Sequence, residues 1–192
     1  AGNPILRRNV IEWINESLGG QYTGDLKNAQ SIVDFYGKNE CCTEVKNHIK
    51  IKYQTEKYVT FEHSSYYQAE GAVHGYGGTI GATFRKDDGR KFGWDMFSNY
   101  EGLQPSIKQG LKRYFEVSTD QELEEHLQLP EGNTINSFPI PSSDPWLTPN
   151  GLTMHYAAYE IACYAEGEPT FTIPFNNIKN CLTATAKKLI PE

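Results

Sequence analysis

The sequence predicts an α+β fold, in which an antiparallel or mixed sheet is packed by several helices. Apolar residues recur at helical spacing near both ends of the chain and at its centre. Between these segments, two-residue alternation and tight-turn sequences mark strands that pair with their neighbours along the chain. Helices that cluster and strands that pair locally are typical of α+β proteins.

Length and charge limit the classes of protein that the chain can represent. Its 192 residues suffice for one compact unit, with an amino-terminal helical and hairpin region (1–65) followed by a larger domain (66–192). The net charge of −6 argues against a strongly basic nucleic-acid binder. No apolar stretch reaches the ~20 residues that span a bilayer. The chain begins at Ala1 rather than Met, so a leader lost by processing is left open.

Two helices are predicted first. Asn3 can cap a helix that begins at Pro4, and a Gly-Gly pair ends it. Asp25 can cap a second helix, which Gly37 ends. Both are expected to pack on a core rather than carry chemistry, because each has an apolar stripe. The stripe residues are Leu6, Val10, Ile14, Leu18, Leu26, Ala29, Ile32, Val33 and Tyr36.

A hairpin is predicted next, because the apolar residues change to a period of two at His48. Its second strand is expected over Tyr58–Phe61 and then Ser64–Gln68, and a further strand over Thr79–Arg85. The sequence Asp87–Arg90 suits a primed turn, in which glycine accepts a positive φ. We therefore expect Lys91–Phe97 to pair back as a strand.

Two helices are predicted in the middle of the chain. The first covers Pro105–Phe115 and has one apolar side. The second covers Thr119–Leu127, with Ser118 and Gln121 as its capping box.

The remaining residues are predicted to form loops, short strands and a last helix. Residues 129–150 are rich in Pro, Gly, Ser and Asn, and we expect a loop around a short strand at Thr134–Ile140. Strands are expected at Gly151–Tyr156 and Thr170–Ile173. A helix begins at Pro174.

His74 is the candidate for chemistry in the first half of the chain. It lies between glycines, where an imidazole can approach a ligand or act as a general base, and the alternative is a hydrogen-bonded histidine in a bulged strand. No serine-hydrolase elbow or zinc-protease motif is present. We therefore expect no enzyme, no catalytic residue, no cofactor and no metal site, with a hydrolase that uses His74 as an alternative.

The four cysteines are Cys41, Cys42, Cys163 and Cys181. None forms a Cys-x-x-Cys pair, so a structural zinc site is not expected. An even number of cysteines in an exported chain permits one or two disulfides, and the pairing is left open. The alternative for Cys163 and Cys181 is that of small buried apolar residues.

Three stretches of the chain carry motifs of a known family. Residues 66–75 read YYQAEGAVHG, residues 88–97 contain DGRK and WDMF, and residues 151–175 contain GLTMHYAAYEIACYAEG followed by FTIPF. Together they resemble the RsiV-like carboxy-terminal domain, a family of unknown function. That family occurs in RsiV-type anti-sigma factors, PdaC-type peptidoglycan deacetylases and envelope lipoproteins of Bacteroides-type bacteria. The chain departs from its pattern at Glu70, at Val73 and at Cys163.

The resemblance implies an exported protein, periplasmic or anchored to the outer membrane, whose fold resembles in part the lobes of actin-like ATPases. It implies neither an ATP site nor a catalytic residue. Its candidate binding residues are His74, Tyr159, Glu160 and Tyr164. The alternative is structural: Glu160 accepts backbone N–H bonds that fix a turn, and Tyr159 fills the core.

The expected function is non-enzymatic binding or sensing at the cell envelope. A protein partner such as lysozyme would suit an acidic chain, because lysozyme is basic. The alternative is an accessory module that binds peptidoglycan or another glycan through exposed tyrosines. Nucleic acid is not an expected partner, a membrane is expected only through a lost lipid anchor, and the oligomeric state is open.

Overall fold

The computed structural model describes residues 2–26, 28–37 and 44–191, and it confirms a mixed α+β fold. The described residues form two antiparallel three-stranded sheets and six α-helices. The chain divides into two compact units, Ala1–Lys91 and Phe92–Glu192. The expected boundary after residue 65 falls inside a strand of the first sheet, and the units divide after Lys91 instead.

The first unit begins with helices α1 (Pro4–Ser17) and α2 (Ala29–Tyr36). As predicted, Asn3 caps α1, and its side chain accepts hydrogen bonds from two backbone N–H groups of the first turn. The predicted cap at Asp25 is wrong, because α2 begins four residues later. Its cap is Asn28, whose side chain accepts a backbone N–H of α2.

Strands β1 (Glu44–Gln54), β2 (Tyr58–Gln68) and β3 (Tyr76–Arg85) form the first sheet in that order. Both neighbouring pairs are antiparallel, as the alternating sequence predicts. α1 packs on one face of this sheet. The resulting core contains Trp13, Val59, Ala82 and Phe84, with Leu6, Val10, Ile14, Ile49 and Phe61 packed around it.

A turn with a positive φ at Gly89 forms after β3, but it is not the predicted primed turn, because Asp88 has no positive φ, and the strand expected after it does not form. Gly89 has φ 75°, and the Arg85 backbone N–H donates to the Arg90 carbonyl. Lys91 forms one bridge with Phe84. The chain then turns into a 3-10 helix over Trp94–Met96, so the predicted strand Lys91–Phe97 is limited to that bridge.

The second unit contains four helices and a second sheet, β4-β5-β6, whose neighbouring strands are antiparallel. These elements are α3 (Gln104–Tyr114), α4 (Asp120–His126), β4 (Trp146–Thr148), β5 (Gly151–His155), β6 (Thr170–Ile173), α5 (Phe175–Ile178) and α6 (Ala184–Lys187). Its core side chains are almost entirely buried. They include Phe92, Leu111, Leu123, Trp146, Leu147, Leu152, Tyr156, Ile161, Ile173 and Ile178.

Three local predictions in this unit are wrong. The single last helix expected from Pro174 divides into α5, a 3-10 helix over Lys179–Cys181, and α6, because the backbone is extended at Leu182. The capping box of α4 uses Thr119 and Glu122, one residue later than the predicted Ser118 and Gln121. The predicted strand Thr134–Ile140 is absent, and only one bridge, between Thr134 and Ser137, forms within it. No helix in the described ranges is long and apolar enough to cross a membrane.

Candidate functional site

The segment that joins β5 to β6, residues 156–169, carries three of the four predicted site residues. Tyr159, Glu160 and Tyr164 all lie on this segment, in the second unit. His74 lies in the first unit, in the exposed loop between β2 and β3. It is therefore not part of a bulged strand, and it does not share a unit with the other three residues.

The Glu160 carboxylate fixes the turn that follows β5. Its oxygens accept hydrogen bonds from the backbone N–H of Ala157 at 2.8 Å and that of Ser142 at 2.5 Å. The Ser142 hydroxyl lies 3.4 Å from the same carboxylate. Hydrogen bonds to a carboxylate are stronger than neutral ones, so these contacts tie residues 157–160 to the loop before β4. Glu160 thus has the structural contacts that its alternative interpretation describes.

Tyr159 lies beside this fixed turn and points away from the core. Its φ is 67°, one of two positive values among the described non-glycine residues, and its side chain is 71% exposed. The expectation that Tyr159 fills the core is therefore wrong. A bulky residue in this backbone region is strained, and such strain persists only where surrounding contacts impose it. The hydrogen bonds of Glu160 to Ala157 and Ser142 surround this residue.

Tyr159 and Tyr164 form an exposed stacked pair, called the tyrosine pair below. Their ring centroids are 6.1 Å apart and the ring planes differ by 26°. Tyr164 is 49% exposed and lies in a 3-10 helix over Tyr164–Glu166. Two neighbouring aromatic rings in solvent offer a broad apolar surface with polar edges, which suits contact with a protein or a sugar.

A buried histidine holds the beginning and the end of the segment together. The His155 side chain is 4% exposed, and its Nδ1 lies 2.9 Å from Thr170 Oγ1 on β6. Its Nε2 lies 3.7 Å from a Glu168 carboxylate oxygen. Burial lowers the pKa of His155, and the charges of Glu168 and Glu160 oppose that shift. The enclosed ring fixes backbone position rather than meeting a substrate.

A second histidine holds the same segment to α4. His126 Nδ1 lies 3.0 Å from a Glu166 carboxylate oxygen, and its ring stacks on Phe115. The Tyr114 hydroxyl donates to the Glu166 carbonyl at 3.0 Å. Burial, and then the charges of Glu168 and Glu166, raise the pKa of Tyr114. These contacts place the 3-10 helix that carries Tyr164.

Sequence reasoning did not find His126, His155, Glu166 or Glu168. Each is a single residue without a local motif, and the contacts join positions up to 52 residues apart. The alternating pattern of β5 and β6 was the available signal, since it places His155 opposite Thr170 once the strands pair.

The arrangement has the chemistry of a contact surface. Over the described ranges, no group of three or more His, Cys, Asp and Glu side chains is placed to hold a metal ion. Cys163 and Cys181 are free thiols, with Cys181 buried and Cys163 half-buried. Cys41 and Cys42, which entered the disulfide prediction, lie outside the described residues.

The two units differ in charge. Residues 92–192 contain thirteen Asp and Glu against six Lys and Arg, whereas residues 1–91 contain eleven against twelve. The second unit, with the tyrosine pair, therefore carries the acidic balance of the chain. Glu160, Glu166 and Glu168 lie on the same segment as the pair.

Residues 95–176 match the model of a protein family described as "Protein of unknown function (DUF3298)". A DUF3298 domain is therefore present in this chain, and it contains the whole segment with the tyrosine pair. No curated protein matches the chain.

Two solved structures share the fold. A DUF3298 family protein from Pseudomonas aeruginosa PAO1 is 19% identical, with a TM-score of 0.67, over 95% of this chain and 81% of that one. A member of the same family from Bacteroides fragilis NCTC 9343 is 16% identical, with a TM-score of 0.71, over 96% of this chain and 80% of that one. At these identities the similarity shows the fold alone.

Proposed function

We propose that the second unit is a non-enzymatic binding module and that the tyrosine pair is its contact surface. The observation that carries this proposal is an exposed, stacked pair held on a turn with a positive φ at Tyr159. Large aromatic side chains left in solvent cost free energy unless a partner covers them, and tyrosines are enriched where binding energy concentrates.

The charge of the second unit favours a basic protein as the partner. A surface with an excess of acidic residues attracts a basic protein over distances near the Debye length and increases its association rate. Peptidoglycan carries free carboxylates on its peptide stems, so an acidic module would repel it. The glycan alternative therefore relies on ring stacking alone.

The resemblance to the RsiV-like family supplies a test partner. RsiV-type proteins sense lysozyme, which is basic, and we take lysozyme as the first ligand to measure. An exported location, in the periplasm or at the outer membrane, belongs to this proposal, because the chain meets lysozyme only outside the cytoplasm.

Isothermal titration calorimetry of the full chain with lysozyme in about 20 mM salt tests the proposal, since screening is weak there. We expect micromolar binding that weakens in about 300 mM salt. Replacing both Tyr159 and Tyr164 with alanine should weaken binding by about thirtyfold or more, as expected for two central aromatic contacts. The matched control replaces Tyr67 and Tyr76 of the first unit, each 44% exposed, with alanine.

The outcomes separate the alternatives. Absence of heat at micromolar concentrations in low salt contradicts lysozyme as the partner, and equal loss of binding in both double variants contradicts the tyrosine pair as the surface. Enrichment on purified sacculi that depends on Tyr159 and Tyr164 would instead support the glycan alternative. A hydrolase that uses His74 would show an activity that His74→Ala abolishes.

A further inference from the structure

We propose a second binding surface, on the first unit: the free edge of β1 binds an extended segment of a partner protein in which acidic and apolar residues alternate. Among the strands of the described ranges, β1 lies at the edge of its sheet, which has the order β1-β2-β3. It is eleven residues long, and eight of these are exposed. An exposed edge presents backbone N–H and C=O groups that an added strand can pair with.

One face of β1 is basic. Lys46, His48 and Lys50 alternate along the strand, so their side chains point to the same side. Lys52, the extra residue at the bulge between Ile51 and Tyr53, reaches this side too, because its Nζ lies 3.1 Å from a Glu62 carboxylate oxygen and Glu62 pairs with Lys50.

Two carboxylates lie among these lysines. Glu44 contacts Lys46 at 2.5 Å, and Glu62 contacts Lys52. An incoming acidic side chain meets Lys50 and competes with Glu44 for Lys46, because the Lys46–Glu44 pair is exposed and such pairs are weak. Lys52 stays paired with Glu62, because that carboxylate is only 9% exposed and a buried charge without its partner is costly.

The opposite face of β1 borders a groove of about 580 Å³. Its walls come from α1, α2 and β1. Its lining is mixed: the polar residues Asn47 and His48 contribute together with the apolar residues Ile14, Leu18, Val33, Tyr36, Val45 and Ile49. Val33 is 55% exposed and Val45 is 44% exposed, so the groove has apolar surface that water covers. This is the surface that the side chains of an added strand would cover.

The two faces together define the partner. Side chains of a strand added to β1 alternate between the groove and the lysine face. Residues over the groove bury apolar area if they are apolar, and residues on the other side pair with lysine if they are acidic. A segment of alternating acidic and apolar residues satisfies both requirements.

A second copy of this chain is a poorer occupant. Antiparallel pairing of two β1 strands about Ile49 would place Lys46 opposite Lys52 and His48 opposite Lys50. Like charges directly opposite each other destabilise a strand pair. Edge lysines thus discourage self-association, while they remain attractive to an acidic strand.

Fluorescence anisotropy with the full chain and a labelled nine-residue peptide of alternating glutamate and valine tests the proposal. We expect saturable binding that weakens with salt, and weaker binding by about tenfold or more when lysine replaces glutamate in the peptide. Lys50→Glu should weaken binding by about tenfold, and the milder Lys50→Gln by a smaller factor. Val33→Asp should weaken binding because it places a charge in the groove.

Lys57→Glu is the matched control, because Lys57 is an exposed lysine in the turn after β1 rather than on its edge. It should leave the affinity within about twofold, as expected for a charge off the surface. Circular dichroism checks that each variant is folded. Equal affinity for the acidic and basic peptides, unchanged binding by both Lys50 variants, or a dimer that blocks the peptide would each overturn the proposal.

Discussion

The Glu160 carboxylate links the strained Tyr159 backbone to the rest of the second unit. It accepts two backbone N–H groups, from Ala157 and Ser142. These two bonds fix the backbone on either side of the turn that carries Tyr159. The carboxylate therefore has a structural role next to the tyrosine pair, for which we propose a binding role.

We predict that Glu160→Gln lowers the free energy of unfolding by about 1–3 kcal/mol, because an amide offers one neutral acceptor oxygen in place of two charged ones. Urea unfolding followed by circular dichroism measures the change. Glu131→Gln, at an exposed loop position, is the control and should change stability by less than about 0.5 kcal/mol. Equal stability of the Glu160 variant and the parent chain would contradict the structural role of this carboxylate.

Helices and strands with a strong periodic pattern were predictable as elements. The strand Thr170–Ile173 and the helix that begins at Pro4 form as the sequence indicates. β4 was missed because it has three residues and lies inside a loop-rich stretch, where too few positions alternate to give a pattern. The cap of α4 moved by one residue. Ser118 and Thr119 can both cap, and the Glu122 carboxylate accepts the backbone N–H of both, but the Glu122 backbone N–H donates to Thr119 Oγ1.

The contact between α3 and β6 gives a second test, at the scale of an element. A Cβ atom at Gly110 of α3 would overlap the ring of Phe171 on β6. Alanine gains about 1 kcal/mol over glycine in a helix interior. Overpacking against a buried ring costs about 1–3 kcal/mol or more, and the ring is only 7% exposed. We therefore expect Gly110→Ala to lower the thermal midpoint.

Gln109→Ala is the matched control for this substitution, because Gln109 lies on the exposed side of the same helix. Gln109→Ala changes the helix propensity without creating a steric overlap with Phe171, so the thermal midpoint should stay the same or rise. Differential scanning calorimetry measures the thermal midpoint of both variants. A rise in the midpoint of Gly110→Ala would show that helix and strand move apart at no cost.

At the scale of the whole molecule, the sequence predicted the class of fold and the segment that carries the candidate site. It did not predict the division of the chain after Lys91. The expected boundary after residue 65 lies within β2, and β3 pairs with β2, so both strands belong to the first unit. Nor did it predict which signature residues are exposed. Tyr159 and Glu160 are neighbours, yet the Tyr159 side chain lies in solvent and the Glu160 carboxylate accepts backbone hydrogen bonds. This difference follows from the conformation of the turn, which the sequence does not show.

The pH dependence of stability combines contributions from both units. His63 in the first unit and His155 in the second are each 4% exposed, and burial lowers the pKa of both below the ordinary value of 6.5. The unfolded chain therefore binds protons at these histidines at a higher pH than the folded chain does. Stability rises with pH wherever the unfolded state binds more protons, so it is lost as pH falls below about 6.5.

We predict that the free energy of unfolding, measured in urea, decreases between pH 7.5 and pH 5.5. Over the same range the net charge of −6 approaches zero, since the isoelectric point is near 5.4, and weaker repulsion between acidic residues acts in the opposite direction. A double variant, His63→Gln with His155→Gln, isolates the contribution of these histidines. In the parent chain both histidine protonation and the change in charge repulsion act on stability, whereas in the variant only the change in charge repulsion remains. The decrease should therefore be smaller in the variant, whatever its stability at pH 7.5.

His74→Gln, at an exposed histidine, should keep the slope of the parent chain. Parallel slopes in the parent and the double variant would show that these two histidines are protonated equally in the folded and unfolded states.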